Sequence, residues 1–128
     1  MRYLAPIFAA VLAFSTACST TDATSPTVSL AGTWTLRSLN GYPLPYTVSS
    51  GSAITSEVLT LNSDGTYTDV ASYSNGTHFT EVGYYSTNNN VITFNDQTDN
   101  LQYTGSISGN VLTEISSNGQ FTSVYQKQ

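Results

Sequence analysis

From residue 30 onward, apolar and polar side chains alternate in short runs separated by turn residues. That alternation is the mark of half-buried strands joined by hairpins. It predicts eight strands, at residues 33–39, 54–61, 66–71, 77–85, 91–94, 101–107, 111–115 and 121–126. Asn62-Ser63-Asp64-Gly65, Asn75-Gly76, Asn88-Asn89-Asn90, Ser108-Gly109-Asn110 and Asn118-Gly119 stand between them, residues that tolerate positive φ or bond their own backbone. No segment keeps a helical apolar period for long enough to make a helix. Short connections between successive strands favour antiparallel neighbours in a meander. Eight strands suffice for a meander to close on itself and lose its edges. The predicted fold is therefore all-β, an eight-stranded antiparallel up-and-down barrel, with an open sandwich as the competing architecture. One connection is irregular, residues 40–52, with Gly41, Pro43, Pro45 and Gly51. It is placed to cover an end of the barrel.

The chain before residue 30 reads differently. Arg2 is followed by an apolar run containing Leu4, Ile7, Phe8, Val11, Leu12 and Phe14, then by Ser15-Thr16-Ala17 and Cys18. These are the parts of a secretory signal. A membrane-spanning helix needs roughly 20 apolar residues, and this run is shorter, carries Pro6 and turns polar at Ser15. Thr16-Ala17-Cys18 resembles the lipobox of bacterial lipoproteins, with Ser15 where leucine is usual. The resemblance implies acylation of Cys18 and attachment to a membrane of the cell envelope, since several acyl chains anchor stably where one is marginal. Ser19, rather than aspartate, follows the cysteine. In a Gram-negative cell the resemblance then implies export to the outer membrane. Residues 18–29 are rich in Ser and Thr and have little to bury, which makes them a tether. The expected organisation is a signal peptide at 1–17, a lipidated tether at 18–29 and a barrel at 30–128.

Composition narrows the chemistry. Cys18 is the single cysteine, so no disulfide holds the barrel and its core must. Past the signal, Arg37 and Lys127 are the only basic side chains against eight acidic ones. Nucleic-acid affinity rests on Lys and Arg neutralising phosphates, so that partner is excluded. His78 is the one histidine, and a catalytic reading would pair it with Asp69 or Glu81. The chain has no G-x-S-x-G elbow, and one histidine without further cysteines makes no zinc site. Asp64, Asp96 and Asp99 lie at turns, where aspartate satisfies backbone donors. A calcium loop would need a denser run of oxygen ligands. The sequence thus predicts no enzyme, no metal and no cofactor. Most of the tyrosines fit the pleated surface of a strand. Tyr42 and Tyr46 fall in the irregular connection and are candidates for a lid or a partner contact.

Three short motifs carry a second resemblance. Gly32-Thr33-Trp34 opens the first strand, Asp64-Gly65-Thr66-Tyr67 opens the third, and Gly83-Tyr84-Tyr85 reads as G-x-Y at the end of the fourth. In this order the motifs resemble the short lipocalin-like domains found behind bacterial lipoboxes, from residue 30 to the C-terminus. The chain departs from lipocalins in two places. Thr98-Asp99-Asn100 lacks the tyrosine of their T-D-Y motif, and Lys127 is the only late basic residue where they stack an arginine on the tryptophan. Gly32-Thr33-Trp34 through Leu39-Asn40-Gly41 and Leu44 also resembles the opening of the META domain of envelope stress lipoproteins.

The lipocalin resemblance implies that Trp34 lies across a closed end and that the barrel holds a small apolar ligand. Period-two alternation then selects a lining of Trp34 and Leu36, Leu59 and Leu61, Phe79 and Tyr85, Ile92 and Phe94, Tyr103 and Ile107. The alternative is a structural or protein-interaction module of the envelope with a filled core, since the same residues make a solid interior. The lipobox reading has a direct test. Cys18→Ser should move the protein from the membrane fraction to the soluble one, or leave it as uncut precursor. A variant cut at the same site and still pelleting with membranes would refute acyl anchoring.

Overall fold

Strands form at every predicted place in the computed structural model, which describes residues 29–48 and 51–128. The signal and all but the last residue of the tether, Cys18 included, lie outside the described residues. In chain order the strands are β1 (Gly32–Leu39), β2 (Tyr42–Pro43), β3 (Tyr46–Thr47), β4 (Ala53–Leu61), β5 (Thr66–Tyr73), β6 (His78–Asn88), β7 (Val91–Asp96), β8 (Gln102–Ser108), β9 (Val111–Ile115) and β10 (Thr122–Lys127). Strands β4 to β10 pair in sequence, β10 pairs with β1, and β1 pairs back to β4, every pair antiparallel. The β1–β4 contact distinguishes a closed eight-stranded barrel from a sandwich.

The connection at 40–52 is more regular than its composition suggests. Asn40 and Gly41 both take positive φ, 51° and 80°, and fold β2 back onto β1 with Leu39 opposite Tyr42. An Asn-Gly pair between extended residues is a two-residue hairpin signal in its own right. Pro43 sits opposite Ser38 on a short edge strand, where a missing N–H disturbs little. β3 pairs with the start of β4, Tyr46 opposite Ile54. Leu44, Tyr46 and Val48 pack against the core, so this segment does cover part of one end. A second difference is that β6 runs on to Asn88, which places Gly83-Tyr84-Tyr85 inside the strand and not at its end.

The two ends of the barrel differ. At the end where β1 begins and β4 and β10 finish, the interior is apolar and filled. Trp34, Leu36, Leu59, Leu61, Ile92, Phe94 and Leu112 are all at most 2% exposed. Trp34 Nε1 donates to the Leu30 carbonyl at 3.0 Å, which satisfies its one polar atom. Lys127 Nζ lies 5.7 Å from the Trp34 ring centroid and donates to the Ser29 carbonyl. A lysine therefore stands over the tryptophan where the lipocalin pattern has an arginine, a cation–π contact. Space for aromatics comes from small residues opposite them. A Cβ on Gly83 would collide with the Asn95 carbonyl oxygen and come within 2.8 Å of the Tyr67 ring. That ring in turn packs edge-on against Phe94, centroids 5.1 Å apart at 77°.

Two bulges alter the alternation at the opposite end. The β1–β10 register shifts between Leu36 and Ser38, which turns Leu39 inward in place of Ser38. The β4–β5 register shifts between Ile54 and Ser56, so Ile54 is buried although Glu57, Leu59 and Leu61 set the other parity. Trp34 closes the filled end, so its removal opens a cavity that the rigid barrel cannot collapse. Truncating a buried Trp costs about 3–5 kcal/mol, out of roughly 5–15 kcal/mol for a whole domain. Trp34→Ala should lower the urea midpoint steeply without changing its slope. A midpoint unchanged from the native protein would show that Trp34 is not part of the core.

Candidate functional site

The same alternation that fills one end with apolar side chains brings carboxylates into the other. Glu57 follows Leu61 and Leu59 along the inward face of β4. Asp69 follows Tyr67 on β5 and lies opposite Leu59 and Glu81. Glu81 shares the inward parity of Gly83 and Tyr85 on β6, and Glu114 follows Leu112 on β9. Asp96, at the end of β7, is 1% exposed. As whole residues Glu57, Asp69, Glu81 and Glu114 are partly buried.

Tyrosine hydroxyls bind the carboxylates to one another. Tyr125 donates to Glu57 Oε1 and lies 3.3 Å from Asp69 Oδ2. Tyr67 donates to Glu81 Oε1 at 2.6 Å, and the Tyr103 hydroxyl stands 3.3 Å from Glu81 Oε2 and 3.5 Å from Asp96 Oδ2. Asp96 is the best satisfied of the five: it accepts the Thr98 N–H at 2.6 Å and the Asp99 N–H at 3.0 Å, closing the turn after β7. Asp69 Oδ1 is buried and has no hydrogen-bond partner. No basic side chain among the described residues enters the group. Arg37 is exposed, Lys127 is engaged at the filled end, and His78 faces outward with Nδ1 3.0 Å from Ser72 Oγ.

Burial without a counter-charge has the expected consequence. Desolvation, reinforced by Glu57 and Glu81, lifts the Glu114 carboxyl to about 8. Asp69 is pushed well above the usual carboxylate range, by burial first and then by Glu57, Glu114 and Glu81. Burial also raises Glu57 and Glu81, against hydrogen bonds from Tyr125 and Tyr67 that pull the other way. The Tyr125, Tyr67 and Tyr103 hydroxyls are raised, chiefly by burial with the carboxylates adding to it, and remain donors. Among the described residues no group of three or more His, Cys, Asp or Glu is spaced to hold a metal ion.

Of the lining expected from sequence, Trp34, Leu36, Leu59, Leu61, Ile92 and Phe94 form the packed core, and Tyr85, Tyr103 and Ile107 pack against it half-buried. Phe79 keeps the inward parity, opposite Ala71, but stands at the rim, 43% exposed. Tyr42 is exposed and its ring lies 6.4 Å from that of Tyr46, which packs on the core. His78 does not meet Asp69 or Glu81, because it points out of the barrel and they point in. An open cleft of about 400 Å³ lies on the outer side, between Thr66, Thr68, Val82, Tyr84 and Gln97. Neither protein-family models nor curated protein sequences match this chain.

Raised carboxyls mean that the folded chain keeps protons which the unfolded chain gives up. For Glu114 the interval runs from 4.5, its ordinary value, to about 8. Across it the unfolded state holds fewer protons, so stability is fully present at the acidic side and declines as pH rises. Thermal unfolding should therefore occur at a higher temperature at pH about 5 than at pH about 8. Glu114→Gln, which cannot ionise, should flatten that slope. A slope of the same size in the variant would show that Glu114 ionises freely.

Proposed function

We propose that the protein is a cell-envelope lipoprotein, anchored through Cys18, whose lipocalin-like barrel is a non-enzymatic binding module. The observation that carries the reading is the division of the interior. A filled apolar end gives the barrel its stability, and the other end gathers carboxylates and tyrosine hydroxyls with no counter-charge beside them, which supports placing a ligand there. Binding sites combine apolar walls with a few convergent polar groups of perturbed pKa. The apolar ligand implied by the lipocalin resemblance finds its expected lining occupied by the core itself. The ligand site is accordingly assigned to the polar half. The lipobox, the tether and the three lipocalin-like motifs support the family and the location.

A second reading rests on the outer cleft, flanked by Val82 and Tyr84, 46% and 57% exposed. It makes the barrel an interaction module that meets its partner from outside. One measurement separates the two. Small molecules extracted from the envelope are titrated into the isotope-labelled full chain in detergent micelles. Binding inside should shift the amides of Glu57, Asp69, Glu81 and Glu114. Shifts confined to Thr68, Val82 and Tyr84 would favour the outer cleft, and no shift at either place would refute a small-molecule binding role.

A further inference from the structure

The acidic half of the barrel has more acceptors than donors. Three hydroxyl protons, from Tyr67, Tyr103 and Tyr125, serve Glu57, Glu81, Asp69 Oδ2 and Asp96 Oδ2. Tyr125 has one proton and two carboxylates beside it, and Glu57 takes the closer contact. Glu114 receives no hydrogen bond from the described residues and keeps residual solvent access. Asp69 Oδ1, shielded from water, has no donor at all. A buried acceptor without a donor costs about 1–3 kcal/mol, and more when charged. The raised carboxyls hold protons of their own, but no positive charge stands beside them.

What surrounds the carboxylates narrows what could supply them. Phe79, Leu101 and Phe121 stand at the ends of β6, β8 and β10 on the carboxylate side of the barrel, each on or in phase with the inward parity, and all at least 38% exposed. The mouth is thus apolar at its rim, with carboxyls that lack a counter-charge below it. The carboxylates are interleaved with tyrosine rings and do not converge as a metal ion requires. Carboxylates interleaved in this way call for a cation that brings several donors of its own.

Resting on the binding role proposed above, we infer that the ligand is a small protonated amine with an apolar or aromatic tail. Its ammonium brings three N–H donors and the missing charge. It sits among Glu57, Glu81 and Glu114, and its field reaches Asp69 beside Glu57. Its tail lies against Phe79, Leu101 and Phe121. Carboxyls that hold protons in the free barrel release them as the ammonium enters, so binding and proton release are one event. The groups that titrate with it are Glu57, Asp69, Glu81 and Glu114, from β4, β5, β6 and β9. The Tyr67, Tyr103 and Tyr125 hydroxyls face the same space and stay protonated.

Titration calorimetry of the full chain in detergent micelles tests this with benzylamine, benzyl alcohol and benzoate, which share a ring and differ in charge. Charge-assisted hydrogen bonds are roughly twice as strong as neutral ones, so benzylamine should bind at least about tenfold tighter than benzyl alcohol, with benzoate weakest. Its affinity should rise between pH about 6 and 8, and buffers of different ionisation enthalpy should report protons released. Glu114→Gln should weaken benzylamine severalfold and leave benzyl alcohol unchanged, and Asp69→Asn provides a second variant if the first does not fold; benzylamine binding unchanged in a folded variant would overturn the assignment. Equal binding of benzylamine and benzyl alcohol would overturn the amine assignment while leaving an interior binding site in place. Displacement of benzylamine by calcium at equal concentration would overturn it in favour of an inorganic cation. Failure of all three probes would also overturn it, whereas the binding role itself fails only if envelope extract shifts no amide.

Discussion

Strand β1 is hydrogen-bonded along both of its edges, to β10 from Trp34 opposite Lys127 to Leu39 opposite Ser123, and to β4 from Gly32 opposite Leu61 to Thr35 opposite Val58. This double pairing separates an inside from an outside, and most other features follow from it. The interior of an eight-stranded barrel is only just wide enough to be filled by side chains. Trp34, Tyr67 and Phe94 fit because glycine stands at Gly83 and Gly105. A Cβ on Gly105 would come within 2.8 Å of the Thr113 carbonyl oxygen and 3.1 Å of Ile92. The β1–β4 pairing also ends early. Beyond Thr35 and Val58 the two strands part, and β2 and β3 occupy the separated edges. The end where they part is the end that holds the carboxylates, and Leu39, Ile54, Leu44, Tyr46 and Val48 pack there.

The strands were legible because their signals are local. Alternation and turn residues act within a few positions, and β9 was expected at the residues where it lies. The number of barrel strands was legible for the same reason. Two things were not. The bulges at Leu36/Ser38 and Ile54/Ser56 arise from how the strands meet across the barrel, and no local pattern marks them. The Asn40-Gly41 hairpin was marked locally, but the prolines around it read more strongly as a loop.

The acidic cluster is the more instructive omission. Leu59 and Leu61 define an inward set whose next member is Glu57, and Phe79 and Tyr85 enclose Glu81 on the same parity. The alternation alone pointed these carboxylates inward. A reading that assigns acids to solvent discards that signal, because an unpaired buried carboxylate is costly. The cost is real, and the raised Glu114 and Asp69 carboxyls express it. Replacing buried ionisable groups with apolar ones of similar volume is often neutral or stabilising. Leucine at Glu57 or Glu81 would leave the Tyr125 or Tyr67 hydroxyl without its acceptor, whereas Glu114 receives no hydrogen bond, so stability does not account for its carboxylate.

The distribution of the remaining charge sharpens the point. The barrel surface is polar mainly through Ser, Thr, Asn and Gly, and its net charge is negative. Among the described residues, Arg37 is exposed and Lys127 is held at the filled end, so neither neutralises the carboxylates. A cleft of one sign with low-dielectric walls concentrates its field toward its opening. Here the walls are Tyr67, Phe94, Tyr103 and Tyr125, and the opening is rimmed by Phe79, Leu101 and Phe121. For the amine proposed above, apolar area at the rim would reward contact without regard to charge, and the field of ionised carboxylates beneath it would reward only a cation. An anion with the same tail meets the rim and is repelled below it. A neutral molecule gains the rim contact and leaves the donor shortage in place. Under that proposal, discrimination by charge would need no residue beyond those whose burial makes the interior costly, and the destabilised group and the selective group would be the same carboxylates.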